Sequence, residues 1–238
     1  MKIALIGYGK MGQTIERIAL GRGHTIGLKI TSANPEAFTE EAFRSCDAAI
    51  EFTVPQAAPE NVTRCLQAGI PVVSGTTGWN ETLAKLKEKT LSENGAFLHA
   101  SNFSIGVNIF FEINRRLAQL MNPQPAYKIS IEEIHHLQKK DAPSGTAITL
   151  AEQIISATGR YDSWKLSEAN EATEIPISAL REEGVPGTHQ VTWESSIDTI
   201  DIIHTAHSRD GFALGAVLAA EFIAGKKGVF SMQDVLGI

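Results

Sequence analysis

Two cysteines, Cys46 and Cys65, are all that the 238-residue chain carries, and they are not spaced as C-x-x-C. No disulfide framework, dithiol centre or cysteine zinc site follows from them. Positive charge is also short. The 21 Lys and Arg stand against 27 Asp and Glu, a formal net charge of -6, which argues against a nucleic-acid-binding surface. Long apolar runs are missing: Phe212 to Ala220 falls short of the about 20 residues that span a bilayer. Nothing at the start reads as a signal peptide, because Lys2 is followed by an apolar strand that runs into a glycine loop. There is no internal repeat and no low-complexity tract. With 43% hydrophobic and 20% charged residues, the chain reads as a cytoplasmic globular protein of one large or two small domains, without nucleic-acid or membrane partners.

What is present begins at the first strand. Lys2 to Ile6 is apolar without polar alternation, as in a buried parallel strand. Gly7-Tyr8-Gly9-Lys10-Met11-Gly12 follows and opens a helix over Gln13 to Leu20. Gly7 permits the tight turn, Gly9 lets a pyrophosphate approach, and Gly12 lets helix and strand pack closely. With a strand before it and a helix after it, this G-x-G-x-x-G points to dinucleotide binding. A second strand, His24 to Ile30, ends without the Asp or Glu that usually holds a ribose 2′-hydroxyl in NAD sites. Thr31 and Ser32 stand there, with Lys29 just before. Hydroxyls and a nearby cation accommodate a 2′-phosphate, so the cofactor is read as NADPH or NADH, with NADPH favoured. Alternation continues through a strand at Asp47 to Phe52, a helix at Pro55 to Ala68 and a strand at Ile70 to Ser74. A helix capped by Asn80 then runs to about Leu91, before a strand at Ala96 to Ala100. Ligands of open α/β sheets bind at the carboxyl ends of strands. The loops after Ile6, Ser74 and Ala100 should therefore converge on one cofactor groove.

Val107 to Leu120 reads as a helix that Asn122-Pro123-Gln124-Pro125 ends. Strands then gather at about 127–136, 174–180, 188–196 and 198–206, with a helix after Thr146 between the first two. Arg160 to Asn170 reads as a polar surface loop, and Gly211 to Ala224 as an apolar helix that returns to the first domain. The expected fold class is α/β. A doubly wound Rossmann domain spans 1–104 and is completed by 209–238, and an α+β domain with an open mixed sheet spans 105–208.

The densest chemistry lies in Glu132 to Ala147, a strand end, a loop and a helix start. Ser144 is placed to cap the helix, with Gly145 and Thr146 in its first turn. The first amides of a helix lack internal partners and bind carboxylate or phosphate. Lys139 adds a full charge on the same loop, and Asp141 is placed to orient it or to cap a turn. His135 and His136 are adjacent on a strand and face opposite ways. They make a poor metal pair, and no metal site is expected. Either one could face a substrate.

The run from Glu133 to Ala147 resembles the signature of the dihydrodipicolinate reductase (4-hydroxy-tetrahydrodipicolinate reductase) family of lysine biosynthesis. The match lies in Glu133, His135-His136, Lys139 and Asp141-Ala142-Pro143-Ser144-Gly145-Thr146-Ala147. The resemblance extends over the chain through Gly75-Thr76-Thr77, Ala100-Ser101-Asn102-Phe103, Arg181, Gly184, Gly187 and His189, with Glu183 standing where a glycine is expected. It implies that Gly75, Thr76, Thr77 and Ala100 through Phe103 contact the nicotinamide half of the cofactor. It implies that His135 is the proton donor, that Lys139 assists and anchors charge, and that His136, Gly145 and Thr146 hold the carboxylates of a small cyclic dicarboxylate substrate, with Ser144 beside them in the substrate-binding set. It further implies a homotetramer held by the second domains. Ile200, Ile202 and His204, alternating with Asp201, Ile203 and Thr205, could leave the bare apolar sheet face such an assembly buries. Two other functions fit the same plan: a dehydrogenase of another amino or keto acid, and a nucleotide-sensing protein without catalysis, which leaves the His-His-Lys-Gly-Thr cluster without a reason. On sequence, Arg209 is read as solvated.

Overall fold

In β1 (Lys2–Ile6), Ile3 and Leu5 pack on one side of a sheet while Ala4 and Ile6 pack on the other. That two-sided burial is why the strand carries no polar alternation. The structure is a computed structural model that describes residues 1–34, 37–169 and 171–238. It divides into two compact units, 1–105 with 209–238, and 106–208.

The first unit runs β1, α1 (Lys10–Gly21), β2 (Thr25–Ile30), α2 (Glu40–Arg44), β3 (Ala48–Glu51), α3 (Ala58–Gln67), β4 (Val72–Ser74), α4 (Asn80–Ser92) and β5 (Ala96–His99). Its six-stranded sheet is parallel throughout, in the order β2-β1-β3-β4-β5-β11, where β11 is Gly228–Phe230. One face packs against Phe43, Val62, Cys65, Leu66 and Leu86 of α2, α3 and α4. The other packs against Ile15 and Ala19 of α1 and a run of small residues in the late helix Asp210–Ile223. This is the doubly wound plan, with the strand order reversing between β1 and β3. Both cysteines are free and buried in the first of these layers, and burial pushes the Cys65 thiol up. Three details differ from the sequence reading. Helix α1 begins at Lys10, not Gln13. Asn80 is the first helical residue of α4, and its N-cap is Trp79 with no side-chain cap. The short elements α2 and β11 and the last helix, Met232–Leu236, were not anticipated.

The second unit contains α5 (Ile105–Met121), β6 (Lys128–His135), α6 (Gly145–Thr158), β7 (Ser163–Leu166), β8 (Glu174–Arg181), β9 (Gly187–Glu194) and β10 (Thr199–Ala206). After these the chain re-enters the first unit through α7 (Asp210–Ile223), β11 and α8 (Met232–Leu236). The five-stranded sheet has the order β10-β9-β6-β8-β7 and is mixed: β6 pairs antiparallel with β9 and parallel with β8. Val107, Phe110 and Phe111 of α5 and Leu150 and Ile154 of α6 cover Ile129, Ile131, Ile175, Ile177, Val191 and Trp193 on one face. Strand β7 falls inside the span read as a polar loop, and Asn170, at the end of that span, lies outside the described residues. The uncovered face is not the bare apolar surface expected. Ile202 packs toward the core and His204 lies against the Phe110 ring. Ile203 (57% exposed) stands among polar partners, for Asp201 accepts hydrogen bonds from Gln190 (2.9 Å) and Thr192 (2.6 Å). None of the described helices is long and apolar enough to cross a membrane.

Candidate active site

In the first unit the glycine loop is shaped by close approach. Gly7 has φ +92, and a Cβ there would stand 1.9 Å from the Phe52 carbonyl oxygen; one on Gly12 would stand 2.3 Å from the Gly7 carbonyl oxygen. Nothing beyond its chain neighbours lies within 4 Å of where a Cβ on Gly9 would be. The loop is thus pressed onto the end of β3 and open at Gly9, Lys10 and Met11, where α1 presents its unpartnered amides. A dinucleotide pyrophosphate fits that opening.

The neighbouring loops are tied together by a residue that sequence reasoning missed. Glu51, at the end of β3, is wholly buried. Its carboxylate accepts hydrogen bonds from Ser74 Oγ (2.5 Å), from Thr76 Oγ1 (3.0 Å) and from the Thr53 hydroxyl. The Thr53 amide donates to Thr76 Oγ1 (2.8 Å), and the Thr76 carbonyl accepts from Trp79 Nε1 (2.6 Å). His99 Nε2 lies 3.1 Å from the same carbonyl, and burial lowers the His99 pKa despite that contact. Thr76 and Phe103 are therefore supports: their side chains are buried, while Gly75, Thr77, Ala100, Ser101 and Asn102 are wholly or partly open. At the end of β2 the cation expected for a 2′-phosphate is already paired. Lys29 Nζ lies 2.7 Å from Glu16 Oε1 and 4.6 Å from the centre of the Tyr8 ring, and Tyr8 donates its hydroxyl to Glu16. The Thr31 hydroxyl is turned to Asn34 (2.7 Å), leaving Ser32 exposed.

In the second unit the buried side of β6 reads Ile129, Ile131, Glu133, His135. Residues two apart share a face of a strand, so a carboxylate and an imidazole end an apolar row. The ladder adds two neighbours. Arg181 of β8 is in register with His135, and His189 of β9 with Glu133. Glu133 Oε2 lies 2.5 Å from His135 Nδ1, while Oε1 accepts from Arg181 Nη2 (3.1 Å) and from the Ser144 amide (3.1 Å). Burial alone would raise the Glu133 pKa, but the contacts from His135, Ser144 and Arg181 outweigh it and hold the carboxyl at about 2. Ser144 caps α6 as expected, accepting from the Ala147 amide (3.2 Å), and its Oγ lies 3.0 Å from His189 Nε2. Burial and the nearby His135 push His189 down to about 3, so that ring is neutral.

Arg181 also grips the lysine loop, donating to the carbonyls of Asp141 (2.6 Å) and Lys139 (3.4 Å). Lys139 Nζ itself donates to Asp141 Oδ2 (2.7 Å). Gly145 is exposed with nothing within 4 Å of where a Cβ would be, and Thr146 is partly open. The structure therefore brings His135, Lys139, Ser144 and the open end of α6 together around Glu133. His136 is partly exposed, with its Nδ1 buried and without a hydrogen-bond partner. Donor atoms of Glu133, His135 and His189 lie within 4.8 Å of one another, a spacing that could suit a metal. The Arg181 guanidinium already supplies positive charge to Glu133, so the cluster reads as a buried ion group, in which Glu133 Oε2 and His135 Nδ1 meet as an ion pair without hydrogen-bond alignment. The role of Glu133 was missed, although its phase with Ile129 and Ile131 is a readable signal: a charge at a core position.

Two family models match the chain: "Dihydrodipicolinate reductase, N-terminus" over residues 1–103 and "Dihydrodipicolinate reductase, C-terminus" over residues 106–236. The 4-hydroxy-tetrahydrodipicolinate reductase of Christiangramia forsetii is 56% identical over 236 residues, 99% of this chain and 98% of that one. That of Neisseria meningitidis serogroup B is 34% identical over 230 residues, 94% and 84% of the two chains. Among solved structures, dipicolinate-bound dihydrodipicolinate reductase from Paenisporosarcina sp. TG-14 matches with TM-score 0.76 at 22% identity, covering 98% of both chains, and so shares the fold. An amine dehydrogenase from Mycobacterium smegmatis matches less closely, with TM-score 0.61 at 11% identity, covering 98% of this chain and 95% of that one.

Proposed function

This chain belongs to the dihydrodipicolinate reductase family, and we propose that it reduces 4-hydroxy-tetrahydrodipicolinate to tetrahydrodipicolinate with NAD(P)H in lysine (diaminopimelate) biosynthesis. The cluster at the end of β6, with His135 over Glu133, carries the reading at the level of chemistry. Net, the substrate gains a hydride and a proton and loses water. The reduced nicotinamide, when bound, supplies the hydride. Hydride addition leaves electron density on the substrate, so a proton must follow, and His135 is the donor. Lys139 and the amides of Gly145 and Thr146 hold the carboxylates, with His136 as a further contact and Ser144 fixing the helix end. Gly7 through Gly12 hold the pyrophosphate, with Thr31 and Ser32 at the adenosine ribose. Gly75, Thr76, Thr77 and Ala100 through Phe103 form the nicotinamide side, Thr76 and Phe103 from beneath.

No acid stands at the end of β2, so NADPH is used at least as well as NADH, even with Lys29 held by Glu16. The enzyme works in the cytoplasm as a homotetramer built on the uncovered sheet face of the second unit. A monomer mass by light scattering at micromolar concentration would remove that assembly. The activity is tested by mixing the chain with NADPH and the product that a synthase makes from pyruvate and aspartate semialdehyde. Oxidation of NADPH is expected. No oxidation there, with turnover of a non-cyclic amino or keto acid instead, would overturn the reading, as would cofactor binding without any turnover.

A further inference from the structure

Glu133 is wholly buried, yet it touches neither the solvent nor the open side of the site. One oxygen faces His135 Nδ1 at 2.5 Å; the other takes the Arg181 guanidinium and the Ser144 amide. One carboxylate therefore joins the proton donor, the strand whose arginine grips the Lys139 loop, and the N-terminus of α6. An ionised carboxylate is an acceptor only, so the nitrogen of His135 beside it must carry a hydrogen. That leaves Nε2 as the exchanging atom. Nε2 is also the nitrogen with room: a Cβ on Gly187 would stand 3.0 Å from it, and glycine leaves that space empty.

We propose that Glu133 is the positioning residue of this active site, holding His135 with Nδ1 inward so that Nε2 delivers the proton to the substrate. The charged and titratable groups facing the pair are His189 from β9, Arg181 from β8, and Lys139 with Asp141 from the loop after β6. His189 is neutral and Arg181 is engaged by Glu133, so Glu133 is the anion that faces His135 Nδ1.

The proposal rests on the reductase reading, and the test separates the two. Wild type, Glu133→Gln and Glu133→Asp are assayed side by side for kcat, KM and the pH dependence of kcat, with dipicolinate binding measured independently of turnover. Glu133→Gln keeps the shape and removes the charge. Its kcat is expected to fall by roughly 10²-fold. KM and dipicolinate affinity should stay within about threefold, well under the tenfold that 1.4 kcal/mol represents. If thermal melting shows that Glu133→Gln does not fold, Glu133→Asp serves in its place: it keeps a charge for Arg181 but withdraws it from His135. Near-native kcat in a folded variant overturns the proposal. So does a raised KM with kcat and pH profile unchanged, which would make Glu133 a support of the substrate loop alone. Absence of turnover in the wild type would instead overturn the reductase reading.

Discussion

Two wholly buried carboxylates sit at two strand ends in this chain, and their surroundings differ. Glu51 is met by hydroxyls from Thr53, Ser74 and Thr76. Glu133 is met by a guanidinium, an imidazole and a helix amide. Both use one side chain to tie several loops together. Neutral hydroxyl donors satisfy the first carboxylate without an ion pair. Charged partners couple the carboxylate to groups that exchange protons, which suits a site that must supply one. A buried charge stripped of its partner is costly, so each cluster also sets the conditions under which its unit stays folded.

After loss of His135 itself, the largest effect that sharpens this contrast should come from Lys139→Ala. It removes the cation on the loop that Arg181 grips, and kcat/KM should fall on the order of 10²–10³-fold, as for loss of one partner of a desolvated charge pair. A loss confined to cofactor KM would break the contrast, because it would put Lys139 on the wrong side of it. Gly187→Ala comes next. The added methyl would press on His135 Nε2 and Cδ2, at 3.0 and 3.1 Å, and kcat should drop by about tenfold, since small displacements of reacting groups are costly. Unchanged kcat would show that the imidazole does not need that space.

Much of this contrast was readable beforehand, and the unread part has a common cause. The doubly wound sheet announced itself in apolar strands such as Lys2–Ile6 and in the glycine loop, because both depend on local sequence. Ser144 as a helix cap is likewise local, and it stands where expected. The partners of the two carboxylates are not local. Arg181 meets His135 and His189 meets Glu133 only through strand register, and Ser74 reaches Glu51 across two parallel strands. The pairing of Lys29 with Glu16 hid for the same reason: a helix and a strand must pack before the lysine is seen to be engaged. Strands as short as Ser163–Leu166 and Gly228–Phe230 carry too few residues to show a period.

A smaller effect is expected in acid. The Glu133 carboxyl lies at about 2 against an ordinary 4.5, so it stabilises the fold above pH 4.5, and that contribution drains away as pH falls toward 2. It amounts to on the order of 3 kcal/mol. His189 lies at about 3 against an ordinary 6.5. Between those values the unfolded chain binds a proton that the folded chain does not, so stability again falls with pH. Tm should begin to drop below about pH 6.5 and steepen below about 4.5, and His189→Gln should flatten the upper part. A Tm constant from pH 6.5 to 3 would show that the cluster is not the ion group described. The smallest effect belongs to the Glu51 unit. Thr31→Asp should move preference from NADPH toward NADH by repelling a 2′-phosphate, read as KM for each cofactor, with kcat little changed. A strong native preference for NADH would contradict the reading of Thr31 and Ser32.

The most direct test of the site is the kcat of His135→Gln in the NADPH-oxidation assay, with substrate KM measured on the same preparation. Loss of the proton donor should lower kcat by roughly 10²–10⁴-fold with substrate KM little changed. A near-native kcat would contradict the assignment of His135 and, with it, the claim that the charged cluster around Glu133 carries the chemistry.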